Sequence, residues 1–250
     1  MVEGILIAMV AAVAGAFGAI LGIGGGIILV PILVSFFAVD VEHARSASLA
    51  SVVVTSMGGS LIYLREGVGD IVRASYLQLP TAIGAVGGAY LGARLDDKII
   101  RLLFGLFIIL VSIRLMFAKD SQSNFRPHRG HWALAMLACL GAGLVSAVLG
   151  VGGGIVFVPV IILLLAQTPR VAAATSTFLI GLTGAASALI YAKAGQMDYE
   201  LTLIAATGIF FGAQIGARIS KWVSGKMLRK AFAVILLINA YLLISKVILQ

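Results

Sequence analysis

Residues 22–31 read GIGGGIILVP and residues 150–159 read GVGGGIVFVP, 128 positions apart, each inside a stretch otherwise built from aliphatic side chains. Three consecutive glycines with a proline five residues later suit a loop or a broken helix, because glycine admits positive φ and proline lacks an N–H donor. In hydrocarbon every backbone N–H and C=O needs a partner within the protein. Irregular backbone therefore survives there only when buried in protein or lining a wet cavity. Any fold open to this chain must enclose both segments.

That the surroundings are hydrocarbon follows from composition. The 250 residues are 61% hydrophobic and 11% charged, with a mean hydropathy of +1.11, against roughly 25% charged residues in soluble domains. The net charge of +8 does not indicate nucleic acid. The basic residues sit in short patches between apolar runs, as membrane-loop anchors do beside lipid headgroups. The N-terminus has Glu3 and no basic leader, which argues against a cleaved signal peptide.

Five apolar runs or part-runs occupy the first half, at about 4–21, 26–39, 46–64, 74–93 and 99–117. Five recur at about 132–149, 154–166, 171–192, 201–217 and 228–249. The chain thus divides into a first transmembrane repeat (1–117), a polar, basic cytoplasmic linker (118–131) and a second transmembrane repeat (132–250). At the offset of 128, Gly15 falls on Gly143, Pro31 on Pro159, Ser48 on Ser176, Tyr63 on Tyr191 and Asp70 on Asp198. After a four-residue gap Gly92-Ala93-Arg94 matches Gly216-Ala217-Arg218. Such a series marks an internal duplication.

Loop charge sets the relative orientation of the halves. If they are inverted, twelve of the eighteen Lys and Arg residues fall on one side and six on the other; if parallel, ten and eight. Inversion is favoured, with both termini outside. The expected fold is an all-α polytopic membrane protein of two inverted-topology repeats. In each, runs one and two form a hairpin whose turn is the glycine triplet. The shortness of run two favours a turn inside the membrane, which makes it a re-entrant, glycine-broken helix.

Glycines 24–26 and 152–154 (Gly24, Gly25, Gly26, Gly152, Gly153, Gly154) would present consecutive N–H groups as a nest at the start of a helix, where the dipole also favours an anion. Pro31 and Pro159 would let those helices kink, as hinges beside the site. Ser48 and Ser176 stand at matched positions where they could donate to an oxyanion; helix-internal bonding is the plainer alternative. Arg94 and Arg218 read as interfacial anchors or, alternatively, as gate or funnel arginines. The glycines of GAVGGAYLGA (Gly84, Gly87, Gly88, Gly92) read as helix packing, and Asp70 and Asp198 as helix caps. No cluster of metal ligands and no central charged group suggests a metal site or proton relay, so no metal or cofactor is expected. Cys139 lies in an apolar run as a small core residue.

These residues resemble the TauE/SafE family of sulfite and organosulfonate transporters. The likeness rests on the paired GxGGGxxxxP segments, the Ala174-Thr175-Ser176 stretch, the Gly-Ala-Arg ends of the fourth runs and the duplicated body of about 250 residues. It implies a prokaryotic inner-membrane secondary transporter of small sulfur oxyanions: sulfite, sulfoacetate and related sulfonates, with thiosulfate or sulfate as further candidates. The partners implied are a small anionic substrate, membrane lipid and a coupling proton or sodium ion, with no nucleic acid. By the resemblance Thr175 joins Ser176 as a donor pair, whereas the first half has Ala47-Ser48. A passive anion channel is the alternative, and a membrane-embedded sulfur-handling enzyme using Cys139 a more distant one.

Overall fold

The computed structural model describes residues 2–96, scattered positions between 98 and 109, and residues 129–222. Eight helices are delimited among these: α1 (Val2–Leu21), α2 (Gly26–Phe36), α3 (Val41–Arg65), α4 (Ile71–Gly92), α5 (Arg129–Leu149), α6 (Gly154–Leu165), α7 (Pro169–Lys193) and α8 (Tyr199–Ile219). They correspond to runs one to four of each half. Most of the linker and of the first half's fifth run, and all of the second half's, lie outside the described residues. There are no strands among the described residues.

Capping chemistry decides where several helices begin. Asp70 accepts from the Arg73 N–H at 3.0 Å and Asp198 from the Leu201 N–H at 3.0 Å, which starts α4 and α8 as their sequence implied. Thr168 caps α7, with Pro169 in its first turn. The polar segment Val41–Arg45 forms the first turn of α3, so that helix starts five residues before its apolar run.

Among the described residues five helices, α1, α3, α5, α7 and α8, are long and apolar enough to cross a membrane. α4 carries Arg73, Ser75, Gln78 and Pro80 and is not among them. α2 and α6, with 11 and 12 residues, span about 16–18 Å at 1.5 Å per residue, roughly half of a 30 Å core. Large apolar side chains face outward in rows, including Ile5, Met9 and Val13 on α1 and Leu79, Ile83 and Tyr90 on α4. Such rows fit a lipid surround rather than water.

Glycine packing holds the helices together. On α8, Gly208, Gly212 and Gly216 lie against the carbonyls of Ala8, Ala12 and Ala16, a constant register that makes α1 and α8 run parallel. Gly84 and Gly88 pack in the same way on Leu140 and Leu144, so α4 and α5 are also parallel. A Cβ at any of these positions would collide with main chain, which fits the packing role expected of Gly84 and Gly88. Gly92 approaches Tyr191 and Val148, whereas Gly87 has nothing within 4 Å. At the centre α3 and α7 are antiparallel: Gly184 faces Leu49, Gly181 faces Ser56 and Gly59 faces Thr177. Each half therefore packs its first helix on the fourth helix of the other half, while the third helices cross between them.

Candidate functional site

The two glycine segments adopt the same conformation. φ is +70°, +88° and +77° at Gly22, Gly24 and Gly25, and +76°, +83° and +80° at Gly150, Gly152 and Gly153. Gly22 ends α1 and Gly150 ends α5 in a left-handed cap. The N–H of Ile23 bonds the Gly18 carbonyl and that of Val151 the Ser146 carbonyl, at 2.8 and 3.1 Å. The N–H of Gly24 also turns back, to Gly18 at 3.2 Å. Part of the expected nest is thus used to close the preceding helix. Gly25 and Gly153 are the N-caps of α2 and α6, and neither helix has a side-chain cap.

The two turns meet. A Cβ on Gly26 would lie 2.9 Å from the Gly150 carbonyl oxygen and 3.2 Å from that of Val151, and one on Gly154 would collide with the Gly22 carbonyl. Val52 and Ile180 fill the space beside them: a Cβ on Gly24 would lie 2.7 Å from Ile180 Cδ1, and one on Gly152 2.7 Å from Val52 Cγ1. Val52 and Ile180 are repeat equivalents, each the twelfth residue of a 25-residue helix. The paired turns therefore sit beside the middles of α3 and α7, with every residue from Gly22 to Pro31 and from Gly150 to Gly154 buried.

Two reciprocal hydrogen bonds join the halves. Ser48 Oγ donates to the Gly150 carbonyl at 2.6 Å, and Ser176 Oγ donates to the Gly22 carbonyl at 2.6 Å. The matched serines are thus brought to the turns, but their protons go to the backbone of the opposite half of the chain. The matched tyrosines brace the same turns from behind: Tyr63 donates to the Ala19 carbonyl and Tyr191 to the Ala147 carbonyl, each at 2.9 Å. Thr175 lies elsewhere, its Oγ1 accepting the Asp70 N–H at 3.0 Å. Thr177, Thr183 and Ser187 bond back to carbonyls of their own helix.

Pro31 and Pro159 lie inside α2 and α6, which continue through them. Neither can donate to the carbonyl four residues earlier, at Ile27 and Ile155. Arg94, just beyond α4, and Arg218, in the last turn of α8, are both exposed at helix ends. Arg94 shares a groove with Tyr90, Ala93, Ile190, Lys193 and Ala194. Cys139 is a fully buried free thiol in an apolar cluster. No group of three or more metal-ligating side chains occurs among the described residues.

One residue escapes a reading by apolar runs. Arg45 is 1% exposed, the largest fully buried side chain among the described residues. Its Nη1 donates to the Val148 carbonyl at 2.9 Å, to Tyr191 Oη at 3.2 Å and to the Gly92 carbonyl at 3.4 Å, and its guanidinium lies over the Tyr191 ring at 5.0 Å. A positive charge therefore sits at the C-terminal ends of α4 and α5, where helix dipoles favour it. The available signal was the repeat itself, for the residue 128 positions on is Ala173.

This geometry defines a class: a multi-pass membrane protein, helical throughout its described regular structure, built around two buried short helices that begin at glycine turns. The family profile described as Sulfite exporter TauE/SafE matches residues 7–243, and the chain belongs to that family of membrane transporters. It is similar to the probable membrane transporter protein YunE of Bacillus subtilis, with 25% identity covering 94% of each chain. A probable membrane transporter protein of Haemophilus influenzae is 27% identical, covering 94% of this chain and 96% of its own. One from Methanocaldococcus jannaschii is also 27% identical, covering 90% and 89%. No solved structure matches the chain significantly.

Proposed function

We propose that the protein is a secondary transporter of small sulfur-containing oxyanions, sulfite or an organosulfonate, working by alternating access of two inverted repeats about the paired glycine turns. The observation that carries this reading is the meeting of the turns themselves. Two helix N-termini without side-chain caps converge, buried, beside the midpoints of α3 and α7. An oxyanion is the chemistry that such N-termini favour. The antiparallel crossing of α3 and α7, with the parallel pairs α1–α8 and α4–α5, supports inversion. The length of α2 and α6 supports re-entrant hairpins.

Further donors are at hand. The Ser146 hydroxyl is buried, lacks a partner among the described residues and belongs to a residue packed against Gly153. Ser48, Ser176 and Thr175 would have to exchange their present partners to reach substrate; in the arrangement seen, the two serines tie the repeats together. Alternating access then amounts to separating the turns from Val52 and Ile180 on one face at a time, with Pro31 and Pro159 as the compliant points.

The test is ligand-dependent thermal stabilisation of the purified protein with sulfite, sulfate, thiosulfate, sulfoacetate, taurine and simple carboxylates, followed by flux in liposomes. A shift with sulfite or a sulfonate, together with saturable flux stimulated by substrate on the opposite side, supports the proposal. A flat response to every sulfur oxyanion would sink it. Flux without saturation or counter-stimulation would point instead to a passive anion channel.

A further inference from the structure

The backbone of the two repeats matches closely, but the two ends of the molecule do not. Part of the difference resides in three equivalent positions, while the opposite end has ties of its own, Glu66 to Arg170 and the Asp70 N–H to Thr175. Arg45, Ser46 and Gln196 occupy the places that Ala173, Ala174 and Val68 hold at the other end. At the first end Arg45 gathers the tips of α4 and α5 and the Tyr191 ring. Ser46 Oγ donates to the Gln196 carbonyl at 2.7 Å, and Gln196 Nε2 donates to the Ala93 carbonyl at 3.3 Å. At the other end the alanines and valine can make none of these side-chain bonds. A small pocket opens there instead, lined by Val68, Ala174 and Thr175 with the buried Ser60 hydroxyl, which has no partner among the described residues.

The position of the polar set is informative. On its inner side a Cβ on Gly150 would lie 2.8 Å from Arg45, so the guanidinium stem covers the second glycine turn directly. On its outer side Ala93, whose carbonyl takes the Gln196 bond, lines the groove that carries Arg94 and Lys193. The order is a basic groove, then the layer of Arg45, Ser46 and Gln196, then the paired turns.

We infer that Arg45, Ser46 and Gln196 form a closed gate between the glycine turns and a cation-lined vestibule of Arg94 and Lys193, and that this conformation is poised to open first at the opposite end, beside Ala174. The inference rests on the alternating-access reading above. By the loop charges the gate faces outside and the Ala174 end faces the cytoplasm. An anion attracted by Arg94 and Lys193 reaches the turns from outside only when Arg45 releases the tips of α4 and α5.

The experiment reads thiol accessibility, which needs no knowledge of the substrate. In a Cys139→Ala background, Ala47→Cys reports on the gate end and Ala174→Cys on the other, each challenged with a membrane-impermeant thiol reagent from either face of oriented vesicles. Both positions are buried, Ala174 at 3% and Ala47 at 0% exposure, so labelling reads opening: in the parent, Ala174→Cys is expected to label the faster, from the face bearing the α3–α4 loop, and Ala47→Cys to resist from both. Adding Arg45→Ala should raise Ala47→Cys labelling from the Arg94 face about tenfold and lower Ala174→Cys labelling reciprocally, as a population shift requires. Gln196→Val, which copies the other end and leaves Arg45 in place, should move both in the same directions by about threefold and decides the matter if Arg45→Ala does not fold. Labelling that rises at both reporters together marks a merely structural arginine and overturns the inference, as does an unchanged ratio in folded variants. Reciprocal labelling with no response to any sulfur oxyanion leaves the gate standing and removes only the proposed cargo.

Discussion

The turn at Gly22 to Gly26 and the turn at Gly150 to Gly154 agree in almost every backbone respect and differ in what surrounds them. Their left-handed glycines match to within 7° in φ. Their serine ties have the same length, and even the unusual positive φ at Ala38 and Ala166, 52° or less, recurs 128 residues apart. Yet Gly22 packs on Ala173 while Gly150 packs on Arg45. The two segments share what two broken helices need in order to meet, and differ in the side chains packed on them. Under the gate inferred above, a site shared by both halves would constrain both copies, whereas a gate would need to match only its own end.

The strongest way to break the comparison is at the turns. Gly25→Ala and Gly153→Ala impose equal backbone strain, but the new methyl meets the Ala14 carbonyl oxygen at 2.8 Å in one and the tip of the Phe157 ring at 2.7 Å in the other. Main chain cannot give way, whereas the far end of a side chain can swing aside through a small change in χ1. Gly25→Ala should cost about 3–5 kcal/mol and Gly153→Ala about 1–3 kcal/mol, combining left-handed strain with overpacking. Detergent thermal melts check it. A reversed order would show that the two turns are not held as the contacts imply.

The tyrosine pair sharpens the difference between the ends. Tyr63→Phe removes the bond to the Ala19 carbonyl and a contact with the neutral Ser220 hydroxyl, whereas Tyr191→Phe removes the bond to the Ala147 carbonyl and the contact with the charged Arg45. The first should cost about 1 kcal/mol and the second about 1–2 kcal/mol more, since hydrogen bonds to charged groups are the stronger. In an Arg45→Ala background the two substitutions should converge, and a double-mutant cycle reads that convergence directly. Equal losses in the parent would mean that Arg45 contributes nothing through Tyr191.

Much of this was legible in the sequence, and the remainder divides by range. The turns, the caps at Asp70 and Asp198 and the packing glycines all follow from local conformation or from small residues recurring on a helix face. Arg45 was not legible. It lies outside the apolar run, in a polar first turn that reads as loop, and only the fold places Val148, 103 residues away, within reach of it. The partners of Ser48 and Ser176, 102 and 154 residues distant, were hidden for the same reason. A serine in a span has many equivalent acceptors until the register of the neighbouring helix is fixed. The modest apolarity of α4 likewise reflects where it packs, against α5 and α7, rather than whether it forms.

The smallest expected effect concerns the end that lacks Arg45. There the α3–α4 loop is tied to α7 by Glu66 and Arg170 at 2.7 Å, with the arginine side chain 44% exposed. An exposed pair of this kind gains little against solvation and side-chain entropy, so Arg170→Gln should change stability by no more than about 0.5 kcal/mol. The Asp70 N–H bond to Thr175, which the substitution leaves intact, continues to hold the loop. Its influence on thiol labelling at Ala174→Cys should be correspondingly slight, and added salt should erase it. If Arg170→Gln instead shifted the labelling ratio as far as Arg45→Ala, the two ends would be held with equal strength, and the asymmetry would lose its physical basis.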